Sequence, residues 1–165
     1  MKLPSLVKYS VVGLAAVAVV VTVIWFSNRS SQVRLQGQAL KVRTLATDEN
    51  SSLAVVEFRI KNPADVPFVV RVCKLRVVTK DGSPVDGEVT AEMDLDRVLD
   101  YYKTMGPRFN PTIKTKDRIG GRETIDRTVA GSFPVSESAL QSRQKFVLEL
   151  EDVDGAVETM EEVRR

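Results

Sequence analysis

"VVEFRIKNPADVPFVVRVCKLRVVTKDG", residues 55–82, holds two apolar runs parted by a proline-bounded break. In the first run Val56, Phe58 and Ile60 alternate with Glu57, Arg59 and Lys61. That period of two belongs to a half-buried strand. Pro63 and Pro67 end it, because a proline offers no N–H to a strand ladder. The second run resumes at Phe68, and Cys73, Leu75 and Val77 share one face. "KDGSPVDG", residues 80–87, then reads as a loop with strong turn chemistry. Strand, bend, strand and turn predict antiparallel β structure.

The same pattern extends in both directions. Upstream, "VRLQGQALKVRTLA" alternates through Val33, Leu35, Gly37 and Ala39, then slips phase to Leu40 and Val42. A one-residue slip beside a glycine predicts a β-bulge. "TDENSS" supplies the turn to the next strand. Downstream, "EVTAEM" is read as a short strand. "DLDRVLDYYKTMGP" changes period: Leu95, Val98, Leu99 and Tyr102 fall at helical spacing. Asp94 is the expected N-cap, Asp96 complements the helix dipole, and Gly106-Pro107 ends the helix. "RIGGRET" reads as a hairpin turn on Gly120-Gly121. Ile125, Val129 and Phe133 then mark a strand, Ser136 caps a brief helical turn, and Phe146, Leu148 and Leu150 mark another strand. Asp154-Gly155 turns into a last short strand or tail. Short strands between turns, with one inserted amphipathic helix, predict a mainly β, antiparallel β-sandwich over residues 33–165. Strands and helices do not alternate, which argues against a parallel α/β sheet.

The quoted stretch resembles the core of the late-embryogenesis-abundant type 2 group. There a strand ends in Asn-Pro, a bend follows, and the next strand begins with apolar residues and runs into a Gly-containing hairpin. Here those parts are Phe58–Ile60, Asn62-Pro63, Pro67–Val72 and Asp81-Gly82. "IGGRETIDRTVAGSF" is similar to that group's Gly-rich turn before a long strand. The likeness covers roughly residues 33–152 as a pattern. It implies an immunoglobulin-like sandwich, often membrane-tethered, without known catalysis, and it carries over no site residues.

The N-terminal region has a different character. Lys2 and Lys8 form a basic tail over residues 1–8. Tyr9–Phe26 holds 18 residues without a charge. As a helix that run is about 27 Å long, close to the thickness of a bilayer core. Lys8 and Tyr9 at one end and Trp25 and Phe26 at the other suit the two interfaces. A cleaved signal peptide needs small residues ahead of its cut. Ala16 and Ala18 supply them only in mid-run, and Trp25 or Asn28 occupies the slot further on. Residues 9–27 are therefore expected to be a transmembrane signal anchor, with residues 28–32 as a tether. Basic residues favour a cytoplasmic N-terminus and a domain on the extracytoplasmic side, periplasmic or at the cell surface. Ala15, Ala18 and Thr22 form a small stripe that would admit a second membrane helix.

Charge and composition exclude several functions. Beyond residue 30 the chain carries 21 basic and 22 acidic residues, without the basic excess of a nucleic-acid binder. Histidine is absent and Cys73 is the single cysteine. His-based triads, His-ligated metals and an intramolecular disulfide are ruled out. Asp94, Asp96 and Asp100 read as a helix cap and a solvated face. "EDVDG" lacks the further ligands of a calcium loop. Tyr101 falls outside the apolar stripe and is an interface candidate. Residues 103–127 hold a cluster of basic side chains, of which Lys114, Lys116, Arg118 and Arg122 are the candidates for an acidic partner or anionic headgroups.

These readings predict a non-enzymatic, single-pass membrane protein, without cofactor or metal. Its sandwich would serve as an accessory or scaffold subunit docking on integral membrane or envelope proteins and touching membrane lipids. The alternative is a binding module for a small or lipid-like ligand.

Overall fold

The structure is a computed structural model that describes residues 14, 15, 17–23 and 34–162. It contains two compact units, divided between residues 32 and 33. In the first unit, residues 14, 15 and 17–23 are helical, and the Thr22 hydroxyl donates to the Ala18 carbonyl at 2.7 Å. Among the described residues no helix is long and apolar enough to cross a membrane. The expected anchor ends, Lys8, Tyr9, Trp25 and Phe26, and the tether lie outside the described residues.

The second unit is the predicted antiparallel β-sandwich. Its strands are β1 (Gln36–Asp48), β2 (Ser51–Lys61), β3 (Phe68–Val78), β4 (Pro84–Val89), β5 (Arg118–Ile119), β6 (Thr124–Phe133), β7 (Lys145–Asp152) and β8 (Val157–Glu161). One helix, α1 (Glu92–Tyr101), and a 3-10 turn, Lys103–Met105, lie between β4 and β5. A one-turn helix, α2 (Glu137–Gln141), joins β6 to β7. One layer reads β1-β2-β6-β4 and the other β4-β3-β7-β8. β4 belongs to both. Its first residues pair with β3 (Val77↔Val85, Leu75↔Gly87), and its last pair with β6 (Glu88↔Ser132, Val89↔Gly131).

The alternation read from sequence fills the space between layers. Val56, Phe58, Ile60, Leu75, Val77, Val129, Phe133, Phe146, Leu148 and Leu150 share one core. At roughly 1.5–3 kcal/mol each, such burials are what hold two sheets face to face. Two glycines mark where the layers press closest. A Cβ on Gly37 would strike Met160 of β8, and one on Gly87 would lie 2.5 Å from the Phe133 ring. A second, smaller core lies on the outer face of the first layer, where Leu95, Leu99 and Met105 cover Leu53, Val55 and Ala130.

The expected bulge is present: the β1–β2 register shifts between Ala39 and Lys41. Leu40 is the extra residue and is exposed, while Val42 resumes the inward phase. Ser136 caps α2 as expected, accepting from the Ala139 N–H. Three local readings need correction. Residues 84–87 are strand, not loop, because β4 is held by β3 at its start and packs side chains only on one face. The helix begins three residues early, at Glu92, behind Ala91, and Asp94 is inside its first turn rather than its cap. Residues 118–124 form no hairpin. β5 pairs with β3 in the opposite layer, so Gly120-Gly121 carries the chain between layers.

Candidate functional site

Cys73 faces the β-sandwich core beside Leu150, its register partner on β7. Burial pushes its thiol up to about 12. A thiol that stays protonated at neutral pH is a poor nucleophile and a poor metal ligand. The aspartates of α1 are each matched to a cation. Asp94 meets Arg97 at 3.3 Å, Asp96 meets Arg108 at 3.1 Å, and Asp100 meets Lys103 at 2.9 Å. The Asp96–Arg108 and Asp100–Lys103 pairs line an open groove of about 520 Å³ along α1, together with Leu99 and Pro107. In "EDVDG", Asp152 accepts the Val69 and Val153 N–H groups, and Gly155 turns at φ 84°. Its carboxylate is a backbone clamp. Among the described residues no three His, Cys, Asp or Glu side chains are grouped to hold a metal ion.

The basic stretch is largely spent inside the domain. Lys114 pairs with Glu92, and Arg108 joins them at 2.5 Å; hydrogen bonds from Lys114, then Arg108, hold the Glu92 carboxyl below its ordinary range. Arg122 pairs with Asp65 at 2.5 Å and lowers it in the same way. Arg127 meets Asp117 at 3.4 Å. Lys116 and Arg118 have no ion-pair partner among the described residues. Lys116 sits at φ 70°, in the left-handed region, where its N–H reaches the Val70 carbonyl at 2.6 Å. The four basic candidates thus divide into two that brace the fold and two left open to solvent. Tyr101 is 80% exposed, with its ring edge-on to Tyr102 at 4.7 Å. Ala15, Ala18 and Thr22 are exposed on the N-terminal helix. Among the described residues of the second unit, no hydrogen bond or ion pair joins Tyr101 to Lys114, Lys116, Arg118 or Arg122.

Three polar nodes escaped the sequence reading. Glu57, 2% exposed, accepts from Arg43 (2.9 Å), Asn110 (2.8 Å) and the Thr128 hydroxyl (2.6 Å). Arg43 also donates to the carbonyls of Met105 (2.7 Å) and Pro107 (2.9 Å), and Phe109 covers it. The node fastens the chain after α1 onto the outer face of the first layer. Asn62, fully buried, donates to the Val66 and Ile119 carbonyls and accepts from the Ala64 N–H. That is why the Asn-Pro bend holds its shape: one amide side chain ties both arms of the bend to β5. Arg143 grips Glu162 at 2.8 and 2.5 Å, and its guanidinium stacks on Phe146. An alternating strand predicts Glu57 exposed, and only the later loop residues that cover it make it buried.

Each layer contributes ends to two poles. The entry pole collects residues 34–36, 61–68, 116–124 and 152–157, and the far pole collects 48–51, 78–84 and 133–145. Asn62, bonded to Ile119, and Asp152, bonded to Val69, knit the entry pole together. At that pole three valines stand half-exposed on loops and strand ends: Val66 (48%), Val153 (49%) and Val157 (52%). The far pole has no exposed large apolar side chain among the described residues.

No family model matches this chain, and no curated protein matches it. Among solved structures it is similar to an uncharacterized β-sandwich protein from Clostridium difficile 630, at 12% identity over 78% of this chain and 85% of that one, with a TM-score of 0.38.

Proposed function

We propose that the protein is a non-enzymatic, single-pass membrane protein whose extracytoplasmic β-sandwich is an accessory or scaffold subunit for membrane or envelope proteins. The observation that carries this reading is in the sequence: an uncharged run of 18 residues, Tyr9–Phe26, is followed within a few residues by a self-contained domain. Burying such a run in lipid is strongly favoured over leaving it in water. The resemblance to the late-embryogenesis-abundant type 2 group points the same way, toward a tethered sandwich without catalysis. The domain's own chemistry agrees with a binding body. Its acidic clusters are matched to arginines and lysines or to backbone N–H groups, and its thiol is partly buried against the core. The space between layers is filled by Phe58, Phe68, Phe133 and Phe146, which weighs against the alternative of a small ligand held there.

Purification of the full chain in mild detergent tests this. Full-length protein retained in carbonate-washed membranes, with other membrane proteins in stoichiometric company, is the expected result. A mature chain that starts beyond Phe26 and stays in the soluble fraction overturns it.

A further inference from the structure

Among the described residues of the second unit, the three most exposed large apolar side chains all lie on α1 and the chain that follows it: Met93 (72%), Tyr101 (80%) and Phe109 (57%). Leu95 and Leu99 turn one side of α1 into the smaller core. Met93, Arg97 and Tyr101, spaced four apart, form a row on the solvent side. The row reads alike from both ends, with an apolar side chain on either side of an arginine. Its charges balance as well. Asp94 faces Arg97, Asp100 faces Lys103, Asp96 faces Arg108, and Glu92 faces Arg108 and Lys114. The Asp94–Arg97 and Asp100–Lys103 pairs are well exposed, and such pairs are weak enough to exchange partners with charges brought by another surface. A face with no net charge selects neither a cationic nor an anionic partner. A surface that carries the same charges in reversed order complements it.

We propose that this row is a self-association face, on which α1 of a second copy of the chain packs antiparallel about a two-fold axis at Arg97. A two-fold axis exchanges the residues of a pair, so each Met93 meets the other copy's Tyr101, a thioether against an aromatic ring. Tyr101 lies on the turn that also carries Asp100 and Lys103, and these two border the open groove with Leu99 and Pro107. The incoming Met93 therefore has apolar wall beside the ring. The two Arg97 side chains come near the axis among four aspartates, Asp94 and Asp100 of each copy, which offsets their mutual repulsion. One helix face is at the small end of protein interfaces, so the dimer forms and dissociates reversibly. The inference concerns the β-sandwich unit alone and does not depend on the anchored reading.

The test uses the full chain in mild detergent. Cys73 is only partly buried, so it is first replaced by Cys73→Ala, and a single cysteine is then introduced. A residue on a two-fold axis faces its own copy, within the separation that a disulfide spans. Arg97→Cys should therefore form a covalent dimer under mild oxidation, and Glu49→Cys, exposed at the far pole, should not. Adding Met93→Asp/Tyr101→Asp should lower the Arg97→Cys yield roughly tenfold, with Tm unchanged because both side chains are exposed. The chain with no cysteine introduced gives a second readout. Its sedimentation should shift from monomer toward dimer as concentration rises, and Met93→Asp/Tyr101→Asp should hold it monomeric. A chain that stays monomeric throughout overturns the proposal. So does an Arg97→Cys yield no higher than that of Glu49→Cys, or a dimer that persists in Met93→Asp/Tyr101→Asp.

Discussion

Glu57 shows what a single buried carboxylate costs and what it fastens. Its neighbours on the same face of β2, Arg59 and Lys61, reach solvent, but residues 105–110 close over Glu57. With Arg43, Asn110 and Thr128 all donating to it, the carboxylate has replaced its water shell with protein donors. Glu57→Ala should destabilise by about 3–5 kcal/mol in chemical denaturation, because Arg43 is left buried without its counter-charge. Thr128→Val, which removes one neutral donor, should cost about 1 kcal/mol. Arg43→Met/Glu57→Leu should recover much of the first loss, since it removes both charges together. A double variant as unstable as Glu57→Ala would show that the node's value lies in shape rather than charge. None of this is legible along the strand. The period gives Glu57 the outer face correctly, but burial there depends on residues fifty positions further on.

At the scale of elements, alternation served well wherever one face of a strand meets the core. β1 with its bulge, β2, β3, β6, β7 and the cap of α2 all follow from local residue order. β4 and β5 did not. β4 is short, begins with Pro84 and contains Asp86 and Gly87, the residues of a turn. Its glycine serves packing instead: a side chain at 87 would meet the Phe133 ring. Gly87→Ala should cost about 1–3 kcal/mol by overpacking, measured in thermal or urea melts. Phe133→Leu in that background should return part of the loss, because the ring is the obstacle. The turn at Gly120-Gly121 was recognisable, but a turn does not say which strand the next segment joins. Closeness to Asp65 explains its composition: a Cβ on Gly121 would fall on that residue's carbonyl.

For the whole molecule, surface charge sets the response to acid. Asp65, Glu92 and Asp126 are held below the ordinary carboxylate range by their arginine and lysine partners. Such groups add stability above their unfolded pKa and lose it as pH falls through the folded value. Glu158 runs the other way. Burial raises its carboxyl, with Arg34 and the Leu35 backbone opposing. Its contribution is full below the unfolded pKa and is lost as pH rises through the raised one, so at pH 7 the ionised group is a net cost. Glu158→Gln should therefore raise Tm at pH 7, and the gain should shrink as the pH falls through the raised folded value and be gone below the ordinary glutamate range of about 4.3. A gain that is independent of pH would assign the effect to packing. The candidate site was partly legible at this scale. The basic bias of residues 103–127 can be read from sequence, but its division into bracing and uncommitted cations cannot, because Glu92, Asp65 and Asp117 are brought in by the fold.

The double membership of β4 has a consequence for how the molecule comes apart. Most two-layered proteins have a seam where the sheets are joined by side chains alone, and solvent can enter there first. Here one strand is stitched by its backbone into both layers, first to β3 and then to β6. Neither half can loosen without breaking ladder bonds in the other. Heating should melt both cores in one step, with exchange of amide hydrogens in β2 and β7 slowing to the same limit.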